Sequence, residues 1–149
     1  MQTFLPYADY ELSALCLNNE HLDNQRIEAK RILDILIRNV MKNNSPVVLM
    51  WKDYEEALKL YFNVVQSEWL SRGYKSFISK ENFNQHKLIM PKWFGDKRLH
   101  LSHQSNLLRI DFKYYSKLGW EVGKDLDYYW PPKSDNQRTR LHKRKNIER

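Results

Sequence analysis

The sequence predicts an all-α fold, and three observations predict it. Apolar residues recur at helical spacing in three long stretches, and no alternating strand pattern survives longer than a few residues. Only four glycines interrupt the 149 residues. No internal repeat or heptad is present, so helices of unequal length should cross in a compact single domain rather than align as a regular bundle.

The elements follow from caps and breakers. Residues 1–18 contain Pro6 and show no helical period, which predicts an extended N-terminal arm. Asn18 or Asn19 can cap a helix over 20–41 whose apolar stripe is Leu22, Ala29, Ile32, Leu33, Leu36 and Val40. Asn43-Asn44-Ser45-Pro46 breaks it and starts the next helix. That helix, with a possible second cap at Asp53, carries Trp51, Tyr54, Leu58, Tyr61, Val65, Trp69 and Leu70 toward a core and stops at Gly73. A short helix is expected within 82–88, and Pro91 to Asp96 reads as a loop. A third major helix should start near Asp96 and run through His103 to about Ile110. Residues 112–130 are aromatic and irregular, and Pro131-Pro132 close them.

Charge divides the chain unevenly. The formal net charge is +7, yet 133–149 alone hold seven Lys or Arg against two acids. The expected organisation is therefore a folded domain over 1–132 and a basic C-terminal tail over 133–149. Such a tail suits a polyanion, and it equally suits a solvated, unstructured end. The single cysteine, Cys16, excludes an intramolecular disulfide and points to a reducing compartment. The N-terminus lacks a basic stretch, and the longest apolar runs fall far short of a membrane span, so a non-secreted protein is expected, cytoplasmic, nuclear or viral, with no membrane partner; a monomer is expected too. There is no phosphate loop, dinucleotide fingerprint or nucleophile elbow, so no cofactor is expected.

One helix carries a candidate site. On a wheel of ~100° per residue, His21, Gln25, Glu28 and Arg31 form a polar line along one edge of the 20–41 helix. A carboxylate at such an edge is caught between desolvation, which favours the acid, and arginine, which favours the anion; general acid–base sites share that tension. The plainer reading is a surface ion pair between Glu28 and Arg31. Arg26 and Lys30 lie about 160° from Glu28 and should face elsewhere. His100 and His103 share a helix face, but a third metal ligand is not evident, and no metal is expected. Tyr114, Tyr115, Trp120, Tyr128, Tyr129 and Trp130 sit among Lys113, Lys117, Lys124 and Lys133. Rings interleaved with lysines suit unpaired bases, and core packing explains them equally well.

The segment His21-Leu22-Asp23-Asn24-Gln25-Arg26-Ile27-Glu28-Ala29-Lys30-Arg31 resembles the first helix of the pyrimidine-dimer DNA glycosylases of the bacteriophage endonuclease V type. In that pattern a His-Leu pair precedes a catalytic glutamate, with an arginine three residues beyond, here Glu28 and Arg31. His103-Gln104-Ser105-Asn106-Leu107-Leu108-Arg109 resembles a later helix of the family that ends in a DNA-contacting arginine. Phe112-Lys113-Tyr114-Tyr115-Ser116-Lys117 is similar to its aromatic C-terminal segment. The opening Met1-Gln2-Thr3-Phe4-Leu5-Pro6-Tyr7 is similar to that of uncharacterised bacterial relatives.

The resemblance implies a compact helical domain whose N-terminal arm passes between helices, acting on double-stranded DNA that carries a damaged or modified base. It implies catalytic roles for Met1 and Glu28, and DNA contacts by His21, Gln25, Arg31, His103, Asn106, Arg109, Lys113, Tyr114 and Tyr115. In the family an α-amine attacks the sugar C1′, forms a Schiff base and supports strand cleavage by β-elimination. An α-amine has a reference pKa of about 7.7–8.0, so roughly a tenth of it is neutral at pH 7, far more than of a lysine. Gln2 is bulky, so Met1 should be retained and supply that amine. The arm is longer than in the phage-type enzyme, and Ile27 stands where that enzyme has an arginine. These departures leave open a monofunctional glycosylase that uses water, a glycosylase for another modified base, and a non-catalytic DNA-binding protein held by its tail.

Overall fold

A computed structural model describes residues 1–38 and 45–132. Val40 and the basic 133–149 tail lie outside those residues. The described chain is helical, with six α-helices and no strand among its residues. They are α1 (Tyr10–Cys16), α2 (Asn19–Arg38), α3 (Pro46–Trp51), α4 (Glu55–Ser71), α5 (Lys97–Ile110) and α6 (Phe112–Tyr115). Single 3-10 turns occupy Gln85–Lys87 and Ser116–Leu118. None of the helices is long and apolar enough to cross a membrane.

The predicted caps place the long helices well. Asn18 Oδ1 accepts from the His21 amide at 2.8 Å and starts α2. Asp96 Oδ1 accepts from the Arg98 amide at 3.0 Å and starts α5. Gly73, at φ +91, ends α4 in a conformation that glycine adopts without Cβ strain. The expected helix within 82–88 is reduced to its 3-10 turn, with Asn84 capping the His86 amide.

Two elements differ from the sequence reading. The arm is extended only as far as Asp9, whose carboxylate caps Leu12 at 2.8 Å and starts α1. A seven-residue helix is too short for a full apolar stripe, and Tyr10, Ser13 and Ala14 alone turn inward. The helix begun at Pro46 also breaks: Asp53 adopts φ +71 between α3 and α4, and Tyr54 rather than Asp53 occupies the cap position of α4. Leu70 lies about 140–180° round α4 from Val65 and Tyr61 and is exposed, against the sequence reading, while Trp69 is half-buried against the core.

The core lies where α2 crosses α4, with α1 on the other side of α4 and α3 against α2. Leu22, Ala29, Ile32 and Leu33 of α2 meet Leu58, Tyr61, Phe62 and Val65 of α4, all fully buried. Trp51 stacks on Tyr61 at 6.0 Å and meets the edge of Trp93 at 4.9 Å. Thr3, Phe4 and Leu5 of the arm are buried among these elements.

Leu5 is a direct probe of the arm's contribution, being completely buried. Leu5→Ala should lower unfolding free energy by about 2–5 kcal/mol, as for other fully buried leucines. Urea denaturation checks it; a loss under about 1 kcal/mol would mean that the arm packs loosely.

Candidate active site around the N-terminal arm

An extended segment threaded through helices has no neighbouring strand to satisfy its backbone, and each unpaired buried N–H or C=O costs about 1–3 kcal/mol. Side chains meet that demand. From α2, Gln25 accepts from the Phe4 amide at 2.8 Å and donates to the Gln2 carbonyl at 2.9 Å. From α4, the Tyr61 hydroxyl lies 3.0 Å from the Phe4 carbonyl and 2.5 Å from Gln25 Oε1. From α5, His103 Nδ1 accepts from the Leu5 amide at 2.9 Å, His100 Nδ1 lies 2.7 Å from the Leu5 carbonyl, and Gln104 donates to the Pro6 carbonyl at 2.8 Å. Trp51 of α3 donates to the Thr3 hydroxyl at 3.1 Å. Four helices therefore hold five residues of chain, Gln2 to Pro6.

These contacts fix both histidine tautomers. The Leu5 carbonyl can only accept, so His100 carries its proton on Nδ1, and its Nε2 accepts from the Gly95 amide at 2.9 Å. Both of its nitrogens are thereby engaged within the protein. His103 must be protonated on Nε2, which is buried with no hydrogen-bond partner among the described residues. No cluster of three or more His, Cys, Asp or Glu able to hold a metal occurs among those residues.

Glu28 lies one turn along α2 from Gln25, which grips Gln2 and Phe4 of the arm. Its side chain is 17% exposed, with Oε1 3.7 Å from Arg31 Nη1. Oε2 is buried and has no hydrogen-bond partner among the described residues. Met1 is 43% exposed, the first exposed residue of a chain that dives inward from Gln2. A largely desolvated carboxylate with an acceptor unfilled among the described residues thus lies one turn from the residue that holds the arm, and Arg31 keeps its charged group in solvent beside it.

The other helix positions separate cleanly. Arg26 is buried on the far side, bonded to Asp23, Gln66 and Ser76, with its guanidinium 4.8 Å from the Trp69 ring. Lys30 pairs with Glu81 and Asp34, and the hydrogen bond to Glu81 raises its pKa, which keeps the amine protonated. His21 is half-buried and lies 2.6 Å from the Tyr115 hydroxyl, against whose ring it stacks at 5.6 Å. Burial lowers the His21 pKa.

Of the residues named from the sequence as DNA contacts, Arg31, Arg109, Lys113 and Tyr114 are exposed. Arg109 also donates to the carbonyls of Lys124 and Leu126, pinning the segment after α6. Gln25, His103, Asn106 and Tyr115 are inside the molecule. The first two hold the arm, Asn106 donates to the Ser102 carbonyl at 2.7 Å, and Tyr115 stacks between His21 and Trp120. Tyr61 and His100 share the arm-holding role without having been singled out for it. An apolar or aromatic residue at core spacing gives no sign that its polar end meets a distant backbone.

A sequence model of the family described as pyrimidine dimer DNA glycosylase matches residues 1–82, a span that holds the arm, Gln25, Glu28 and Arg31 but not α5. No curated protein and no solved structure matches the chain.

The histidine geometry makes stability depend on pH. Burial, and then the neighbouring His100, pushes the His103 pKa down to about 3, and burial also lowers that of His100. The fold holds these rings neutral while the unfolded chain protonates them near the usual ~6.5, so their contribution is intact above pH 6.5 and is lost as pH falls below it, for His103 down to about 3. Between pH 7 and 5 the urea-unfolding free energy should drop by about 2 kcal/mol through His103 alone. His103→Asn, which keeps a short acceptor, should flatten that dependence; an equally steep curve would show that the ring does not titrate this way.

Proposed function

Because the chain belongs to the pyrimidine dimer DNA glycosylase family, we propose that it excises damaged or modified bases from double-stranded DNA, with Glu28 and the Met1 α-amine as its reacting groups. The observation that carries the reading is the buried Glu28 Oε2, without a hydrogen-bond partner among the described residues, one helical turn from the residue that holds the arm. A buried acceptor without a partner costs free energy unless something completes it, and a cationic sugar or a proton in transit would do so.

In the proposed reaction the amine's lone pair adds to C1′ while the glycosidic bond breaks, its electron pair leaving with the base. Opening of the sugar ring and loss of a proton from nitrogen give a protonated imine. Removal of a C2′ proton then expels the 3′ phosphate, and water hydrolyses the imine to restore the amine. Glu28 supports the cationic sugar and carries the protons. Arg31 holds a phosphate beside the lesion, and Lys113 and Tyr114 extend the contact surface. Gln25 and His103 serve through the arm rather than by touching DNA.

Glu28→Gln keeps the side chain's shape and removes its charge, so base release from damaged duplex should fall about 10²–10⁴-fold with DNA affinity kept. Excision at the wild-type rate would refute the assignment. Borohydride should trap an adduct on Met1 with a duplex carrying an abasic site or a cyclobutane dimer. Base release without any adduct would select a monofunctional enzyme that uses water, and an adduct mapped to a lysine would refute both routes.

Arg31→Ala should weaken duplex binding and reduce the slope of log K against log salt by about 0.9, one phosphate contact. An unchanged slope would leave Arg31 as a partner of Glu28 alone.

A further inference from the structure

We propose that Gln25 is a positioning residue for the reaction, its buried amide fixing the Gln2 and Phe4 peptides so that the α-amine of Met1 is held beside Glu28. The inference rests on the amine reading above and goes beyond it by assigning the residue that sets the amine's location.

The orientation of the amide is unambiguous. The Phe4 N–H, 2.8 Å away, can only donate, and the Gln2 carbonyl, 2.9 Å away, can only accept. Oε1 therefore faces Phe4 and Nε2 faces Gln2. The Tyr61 hydroxyl, 2.5 Å from Oε1 and 3.0 Å from the Phe4 carbonyl, adds a third contact to the same junction. Gln25 is 1% exposed, so these contacts are sheltered from competing water. One planar group thus grips two backbone sites on either side of Thr3 and sets both the position and the direction of the strand.

Upstream of the gripped Gln2 carbonyl, little chain remains. Consecutive α-carbons are ~3.8 Å apart, so the amine can sweep only a small volume around its anchor. Gln25 and Glu28, at i and i+3 on α2, have Cβ atoms about 5–6 Å apart, which ties that volume to the carboxylate. Packing alone does not require this chemistry. Methionine fills similar space with neither a strong donor nor a strong acceptor, glutamate as the anion accepts but cannot donate to Gln2, and asparagine is one methylene short.

The test uses the full-length protein and its Gln25→Glu, Gln25→Met and Tyr61→Phe variants with saturating abasic-site duplex and borohydride. Trapping is followed in a single turnover for both rate and final amplitude, alongside duplex affinity and thermal melting. Both Gln25 variants should trap about 10–10²-fold more slowly, the effect of a small misplacement of a reacting group, with affinity within about twofold of wild type. Tyr61→Phe keeps the ring and should slow trapping by a smaller factor. A packing role would lower melting temperature and amplitude while the folded fraction reacts at the wild-type rate. That result in a Gln25 variant overturns the inference. If neither Gln25 variant folds, a wild-type trapping rate in Tyr61→Phe overturns it. Wild-type protein that forms no adduct overturns the amine reading itself and this inference with it, so the two failures are told apart by that control.

Discussion

The structure depends on one demand: a buried extended segment must have its backbone hydrogen bonds filled, and helices have no spare main-chain groups along their length to fill them. This protein fills them with Gln25, Tyr61, His100, His103 and Gln104, drawn from α2, α4 and α5, while Trp51 of α3 holds the Thr3 side chain. Those helices are consequently fixed in rotation as well as in contact, because each must aim a particular polar atom at a particular point on the arm. The apolar core would tolerate slippage between α2 and α4 far better than this network does.

The same network explains why so much polar surface is sequestered around so small a site. His100 and His103 are kept neutral and committed to Leu5, and Arg26 is committed to Asp23, Gln66 and Ser76. Among the residues proposed to react or bind, Met1 and Arg31 are exposed and Glu28 is partly covered. A carboxylate with a vacant buried acceptor is the group in that set whose environment folding alone does not complete.

Much of the fold was legible because caps and periodicity are local. Asn18, Asp96 and Gly73 announced the ends of α2, α5 and α4, and the stripe from Leu22 to Leu33 announced the buried face of α2. Helix α1 was not legible, since seven residues carry too little pattern, whereas the break before α4 was signalled by the second cap read at Asp53, one residue ahead of the cap position that Tyr54 takes. At the site, the line of Gln25, Glu28 and Arg31 could be read from one helix wheel. What that wheel could not distinguish was which members look outward: Gln25 sits on the same edge as Glu28 yet is consumed by a segment more than twenty residues away. Tyr115 posed a similar problem, because a ring among lysines suits a base and a core equally, and its stacking on His21 and Trp120 decides for the core.

The span of the arm's contacts also orders events during synthesis. The hydrogen bonds from Leu5 to His103 and His100 link positions 98 and 95 residues apart. While the ribosome is still making α4, the Leu5 amide and carbonyl have no partners, and the cradle that will receive them lacks one wall. The arm is therefore held in its final place only after α5 has emerged, and the chemistry proposed for Met1 becomes available only once that distant helix has been made.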